Sequence, residues 1–527
     1  MASPQISSPS AWTPSSSDPW SSSQQPYSSN DDHLSPYASP FLGLSDFDNM
    51  SDHASSTSSS TAHILRVAII GGGLGGAALL RGLMRYPHIA AELYDARPQF
   101  RDEGPALDLS EGHQEVLRAL DPALDACLDR AGAVYSSVAL CTVGTATTPH
   151  RAVDLSGLPI PGRRTVGRQA LLEEILVDVP PYQLHPNTPI VAVSGASETE
   201  VGGGGAYLEF VDGTRRRYDV VIGADGTSSL ARSFVISGNG SGSNSTADEE
   251  DPAHKLVPSG SWTLPLEVPL ARAQQAMGGA AYLDPLNPCR AGWVGDGTFM
   301  QHDFINHGRD VQISLSAVLP PPSTDTRPGA NVGPSWAKLF TPEEFEATFA
   351  QNRSPACQGM VKLVQSVYTI QIAGIVQMKH VSTPRYNRGR VCVLGGAAHA
   401  ASPYHSASAG LSLEQAMVLA TLLGHSASSG VGIRGFTKSG HDVEASLPYY
   451  ALQAYDAICR PRADQVVRAA SEVENTLLGR SSRGLDPVGV AEKLQQRWPA
   501  VHNLHVAGLQ NAALDTMEQF IAEDSKW

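Results

Sequence analysis

Gly71, Gly73 and Gly76 stand in a G-x-G-x-x-G spacing, and 19 residues after Gly76 comes an acid, Asp95. Residues of these types at these distances can cradle a dinucleotide. The first glycine permits a tight turn, the second lets a pyrophosphate approach the backbone, and the third lets a helix pack closely on a strand. The free N–H groups and positive dipole end of that helix then face phosphate. The carboxylate of Asp95 can accept hydrogen bonds from both hydroxyls of an adenosine ribose. A second group is Ala224-Asp225-Gly226, with Ser229 and Arg232 just beyond it. It puts a carboxylate, a glycine and a helix start at one strand end, where ligands bind in open α/β sheets. A third is the small-residue turn Gly395-Gly396-Ala397-Ala398-His399, which leads on to Pro403 and His405. Arg168, at the entrance of a helix, is placed to meet a phosphate or a carbonyl.

The flanking pattern supplies the elements that must position these groups. Val67-Ala68-Ile69-Ile70 reads as a short buried parallel strand, Ala77 to Met84 as an apolar-rich helix, and Ala91 to Asp95 as the next strand. Tyr218 to Gly223 is a strand that empties into Asp225, and Gly389 to Leu394 is one that empties into Gly395. A helix is expected to start near Ala409. Gly104-Pro105-Ala106-Leu107 makes a turn, and Leu171, Leu172, Ile175 and Leu176 give the helix behind Arg168 one apolar face. Asp212-Gly213 closes a hairpin. From Trp262 to Val318 the runs are β-rich and predict a second, mostly antiparallel sheet, and Leu452 to Leu478 reads as a long amphipathic helix. The expected fold class is therefore α/β: a Rossmann-like dinucleotide-binding domain, an interleaved antiparallel sheet domain and a long C-terminal helix.

Bulk properties narrow the classes of function. With 527 residues, 41% of them hydrophobic, the chain can bury a large core. A formal charge of −15 argues against an electrostatic nucleic-acid surface. The cysteines lie far apart with no C-x-x-C, which excludes the usual zinc spacings, predicts no metal site and suggests reduced thiols in the cytoplasm. Ala131 to His150 and Val391 to Leu413 are uncharged but diluted by Ser, Thr, Gly, His and Pro, so no stable membrane insertion is expected. Residues 1–63 are rich in Ser, Pro and Thr and carry no Lys or Arg. That composition predicts disorder, and it lacks the marks of a secretory or mitochondrial leader.

Taken in order, the three groups resemble the motifs of the flavin-dependent aromatic hydroxylases, the single-component FAD monooxygenases similar to salicylate hydroxylase. The match spans residues 64–480, with a C-terminal helical tail over 481–527. The resemblance implies FAD-binding parts at about 64–235 and 385–425, a substrate sheet at about 255–380 and a long helix at about 450–480. It implies that Gly71, Gly73, Gly76 and Asp95 hold the ADP part of FAD, and that Ala106, Arg168, Asp225, Gly226, Gly396, Pro403 and Ala409 border the rest. The second motif of such proteins also serves the nicotinamide donor. Where they carry Asp in the third motif, this chain has Gly396. At the places of their Tyr-Arg and Tyr-Pro pairs stand Leu264-Pro265 and His302-Asp303.

The implied activity is hydroxylation of a small phenolic or polyketide-like ring in secondary metabolism. NADPH or NADH would reduce FAD as a transient co-substrate in the same cleft, and O2 would supply the oxygen. His302, Asp303 and His405 are the candidates for substrate contact. Asp303 suits general-base work if it points at the cleft, and strand alternation allows only one of His302 and Asp303 to do so. A monomer or homodimer is expected. Two other readings are a flavin fold that has lost redox work and binds or cyclises its ligand, and an isoprenoid epoxidase.

Overall fold

A computed structural model describes residues 64–136, 138–144, 151–154, 162–195, 204–238, 256–279, 282–320, 336–381, 383–400, 407–428 and 442–525. The segment 1–63, Pro403 and His405 lie outside the described residues.

The glycine-rich turn belongs to a six-stranded sheet. Its order is Asn387–Arg388, Val391–Val393, Val220–Gly223, Leu65–Ile70, Ile89–Tyr94 and Leu184–His185. The neighbours of Leu65–Ile70 run parallel to it, with Val67 opposite Val220 on one side and Ala91 on the other. Parallel strands covered on both faces need apolar residues throughout, and Val220–Gly223 and Val391–Val393 are buried at every position. The helices Leu74–Leu83 and Ala407–Ser428 share one apolar cluster with this sheet, through Ala77, Leu80, Leu413 and Met417. Residues Ala407–Ser426 are long and apolar enough to cross a membrane, but 89% of that window is buried inside the fold.

A second, eight-stranded sheet runs in the order Ala337–Phe340, Ile372–His380, Leu256–Pro269, Asp310–Val318, Thr298–Ile305, Cys289–Gly295, Val138–Val143 and Arg151–Asp154. It is antiparallel except where Cys289–Gly295 runs parallel to Val138–Val143. Side chains alternate strictly along its central strands. Leu264, Leu266, Met300, Phe304, Ile313 and Leu315 point one way, into a core built with Met277, Phe345, Phe349 and Met360 of three covering helices. Thr263, Asp303, Gln312, Ser314 and Ser316 alternate with them and are buried as well. This polar face meets the dinucleotide half: Gln312 Oε1 accepts the Ala106 N–H, and Arg290 Nη1 reaches Asp108 Oδ2 at 2.6 Å. One face makes the core, and the other makes a buried polar wall against the dinucleotide half.

The long helix, Val443–Leu477, contains Pro448 and Pro461. Buried Tyr455 pins it to the first sheet by donating its hydroxyl to the Val393 carbonyl at 2.8 Å. Helices Pro487–His502 and Val506–Asp524 follow. All six cysteines are free.

Candidate active site

The three chemical groups of the sequence converge on one cavity of about 620 Å³. Gly71, Gly73, Asp95, Arg168, Asp225, Gly226, Gly396 and Ala409 all line it. Its volume lies within the range of about 300–1,000 Å³ common to small-molecule and cofactor sites. Gly71 makes the turn at φ +105°. Gly76 lies beneath, where an added Cβ would strike the Gly71 carbonyl, so its task is close helix–strand packing. At Gly73 an added Cβ would come 3.2 Å from Asp102 Oδ2 and narrow the cavity over the helix start.

The turn at Gly396 is held from several sides. Buried Arg232 donates through Nη1 to Thr383 Oγ1 at 3.1 Å and to the Ala397 and Ala398 carbonyls at 3.1 and 3.3 Å. Burial pulls this guanidinium down to about 10. His380 Nε2 lies 3.1 Å from the Gly396 carbonyl, while Gln415 Oε1 accepts the Gly395 N–H at 2.8 Å and lies 3.2 Å from His399 Nε2. His399 thus braces the turn from within the protein and does not line the cavity. At Gly396 an added Cβ would meet nothing nearer than Gly226 Cα at 3.4 Å, an ordinary contact. The position has room for a Cβ.

Three carboxylates at the cavity, Asp95, Asp225 and Asp102, are engaged. Asp95 Oδ2 accepts the Gly72 N–H at 2.8 Å and Arg97 Nη2 at 2.9 Å, and Oδ1 accepts the Arg97 N–H and Nε at 2.8 and 3.0 Å. Burial pushes the Asp95 carboxyl up, but the Arg97 and Gly72 hydrogen bonds outweigh it and hold it below the usual carboxylate range. Asp225 accepts from Ser229 Oγ at 2.5 Å and from the Leu230 and Ala231 N–H groups at 2.8 and 3.3 Å, at the start of helix Leu230–Ser237. Its burial outweighs those bonds, and its carboxyl is raised. Asp102 joins Leu74 N–H to Arg168 Nε, at 2.9 and 2.5 Å. Sequence reasoning passed over Asp102, Arg97, Arg101, Glu103, Thr188 and Ser412, all of which line the cavity. The one visible signal for Arg97, Arg101, Asp102 and Glu103 was the charged run after Asp95, and Thr188 and Ser412 had none.

The candidates for substrate contact separate. Asp303 lies on the polar wall, but its Oδ1 is taken by Arg290 Nε at 2.5 Å. Arg290 in turn meets Asp108, whose Oδ1 stands 2.8 Å from Arg163 Nε, within ion-pairing distance but off the hydrogen-bonding angle. All four side chains are buried. Ala106 is tied to this wall by its backbone and does not line the cavity. His302 points the opposite way, into the apolar core, with Trp293 and Phe304 at ring-centroid distances of 5.7 and 6.2 Å. A side chain there cannot touch a ligand on the polar wall, so the structure corrects the expectation for His302.

Neither ring nitrogen of His302 has a hydrogen-bond partner among the described residues, and the residue is 0% exposed. Burial pulls its pKa down from 6.5 to about 4. The unfolded chain therefore takes up this proton first as pH falls. The His302 contribution is constant above pH 6.5 and turns against the fold between there and about pH 4, by about 1.4 kcal/mol per pH unit. His399, pulled down to about 4 chiefly by burial, acts the same way. His302→Leu removes the orphaned nitrogens and should stabilise the protein by about 1 kcal/mol or more at pH 7.5. The gain should be larger at pH 5. Thermal melts at both pH values check this, and a pH-independent difference would refute it.

No family model matches the chain. It is 27% identical over 444 residues to the 6-methylsalicylate 1-monooxygenase of Aspergillus terreus, a match that covers 82% of this chain and 86% of the relative. It is 26% identical over 422 residues to the salicylate hydroxylase of Pseudomonas putida, covering 77% of this chain and 85% of the relative. Among solved structures, a salicylate hydroxylase substrate complex superposes with a TM-score of 0.65 at 20% identity, over 86% of this chain and 98% of that one. CtdE in complex with FAD and a substrate gives the same TM-score at 14% identity, over 87% of this chain and 100% of that one.

Proposed function

We propose that the chain, by sequence and fold an FAD-dependent monooxygenase of the aromatic hydroxylase kind, places one oxygen atom from O2 on a small phenolic ring, using electrons from NADH or NADPH. The observation that carries this reading is the convergence of three separated motifs, Gly71–Gly76, Asp225–Gly226 and Gly395–Gly396, on one cavity beside a polar wall. The residues present fit the cofactor. Thr188 and Asp95 would take the adenosine end, the N-terminus of helix Leu74–Leu83 and Arg168 the diphosphate, and Gly226, Gly396 and Ala409 the flavin end. FAD, when bound, supplies the electron and oxygen transfer.

This chain's own residues bind, orient and exclude water. Arg232, His380 and Gln415 hold the Gly395–Ala398 turn through its backbone groups, so that it would meet the ligand without rearrangement. The buried wall around Ser314 and Gln312 would receive the ring and keep solvent from it. Asp303, committed to Arg290, would hold that wall in place and leave the ring's proton to a neighbour. The other G-x-G-x-x-G spacing, Gly430, Gly432 and Gly435, follows the helix Ala407–Ser428 and not a strand, so it does not read as a second dinucleotide unit, which supports transient nicotinamide binding in the same cleft. Six free cysteines suit a cytoplasmic enzyme, monomeric or homodimeric, and a role in secondary metabolism suits the phenolic substrate.

The test is anaerobic stopped-flow reduction of the flavin-loaded protein by NADH and by NADPH, with and without a panel of phenols. At least one phenol should accelerate reduction tenfold or more. Failure of both donors to bleach the flavin, with every phenol, would overturn the reading.

A further inference from the structure

Helix Leu74–Leu83 starts on Gly73 with no side-chain cap and no acid in its first turn. Its local sequence therefore leaves the helix start without an anion. The fold brings one from 28 positions away: Asp102 Oδ2 accepts the Leu74 N–H at 2.9 Å. The other oxygen, Oδ1, takes Arg168 Nε at 2.5 Å. Asp102 is held from behind by its own N–H, which donates to Gln169 Oε1 at 3.1 Å, and only 13% of its side chain is exposed. Both Asp102 and Arg168 line the 620 Å³ cavity.

A helix N-terminus together with an arginine is the donor set that recognises a diphosphate. Here a carboxylate already occupies it. A diphosphate arriving with Asp102 in place would meet a third negative charge beside its own, in a site partly screened from water. We propose that Asp102 is a surrogate anion: it holds the helix start and Arg168 of the diphosphate seat together, must swing off Leu74 and Arg168 when a dinucleotide enters, and by that competition sets how tightly the cofactor is held. Arg168 changes partner from carboxylate to phosphate, and the Leu74 N–H does the same. This inference rests on the reading of the cavity as a dinucleotide site, and it assigns Asp102 an affinity-setting role in place of a ligand-holding one.

The test is calorimetric titration of the full-length, flavin-stripped chain with FAD, ADP and riboflavin. Asp102→Asn keeps the size and a carbonyl acceptor for Leu74 but removes the charge, and Asp102→Ser provides a second neutral variant should the first fold poorly. Both variants should bind FAD and ADP about tenfold or more tightly than the parent. Riboflavin, which has no phosphate, should bind all three proteins alike. Unchanged or weaker ADP and FAD binding in the variants overturns the proposal, because Asp102 would then serve to position Arg168 for the ligand. Tightening seen equally with riboflavin overturns it too, since the effect would not reside at the diphosphate. ADP tightening without any FAD binding supports the seat while overturning the flavin reading. No binding of either nucleotide by any of the proteins overturns both.

Discussion

Arg290→Met is expected to cost the protein about 3–5 kcal/mol of stability, the loss typical of breaking a buried ion pair by removing one partner. Arg290 stands between Asp303 Oδ1 at 2.5 Å and Asp108 Oδ2 at 2.6 Å, with Arg163 on the far oxygen of Asp108 at 2.8 Å. The cluster is balanced, two cations against two anions, and shut off from water. Methionine replaces the aliphatic stem and leaves two carboxylates facing one guanidinium. The loss should therefore come from charge and not from packing. Adding Asp303→Leu to Arg290→Met removes the surplus carboxylate and should recover most of the stability. Urea melts of both variants test this, and a double variant no better than the single one would place the effect in packing. Since Asp108 and Arg290 join the dinucleotide half to the polar wall, the single variant should also loosen the wall that is proposed to receive the ring.

A second large effect is expected at Gly71, whose φ of +105° alanine strongly disfavours. An added Cβ would lie inside contact distance of the Ala224 carbonyl and 2.8 Å from Asp225 Cα, both of them backbone that cannot rotate away. Strain and overpacking add, and several kcal/mol are expected to be lost together with flavin retention on gel filtration. Gly396→Ala is the matched control. It lines the same cavity, its φ is not in the left-handed region, and its added Cβ meets nothing closer than 3.4 Å. It should melt within about 1 kcal/mol of the parent, as an unstrained exposed-side substitution does. Equal behaviour of the two variants would refute the steric assignment at Gly71.

Much of the dinucleotide half was legible in the residues alone, for a local reason. A strand, a glycine turn and a helix are encoded by neighbours, so G-x-G-x-x-G between Ile70 and Ala77 announces both its shape and its use. The same holds for Asp225 at the end of one strand and Gly396 at the end of another. Strand alternation was legible too, and it showed that His302 and Asp303 must part company. Which of them faces the ligand was not in the sequence, because both faces of that sheet are buried and only the packing of the covering helices decides which face is core. Charge partners lay further out of reach. Asp102 meets a helix start 28 residues earlier, and Arg290 meets Asp108 across 182 residues. Those meetings depend on sheet register and on how two layers are laid together. Asp95 looked from its position like a free acceptor, yet the folded chain also ties its carboxylate to Arg97 and the Gly72 N–H, partners a ligand would have to share. Backbone shape is set by adjacent residues, whereas the charge state and availability of a side chain are set by whatever the tertiary fold brings beside it.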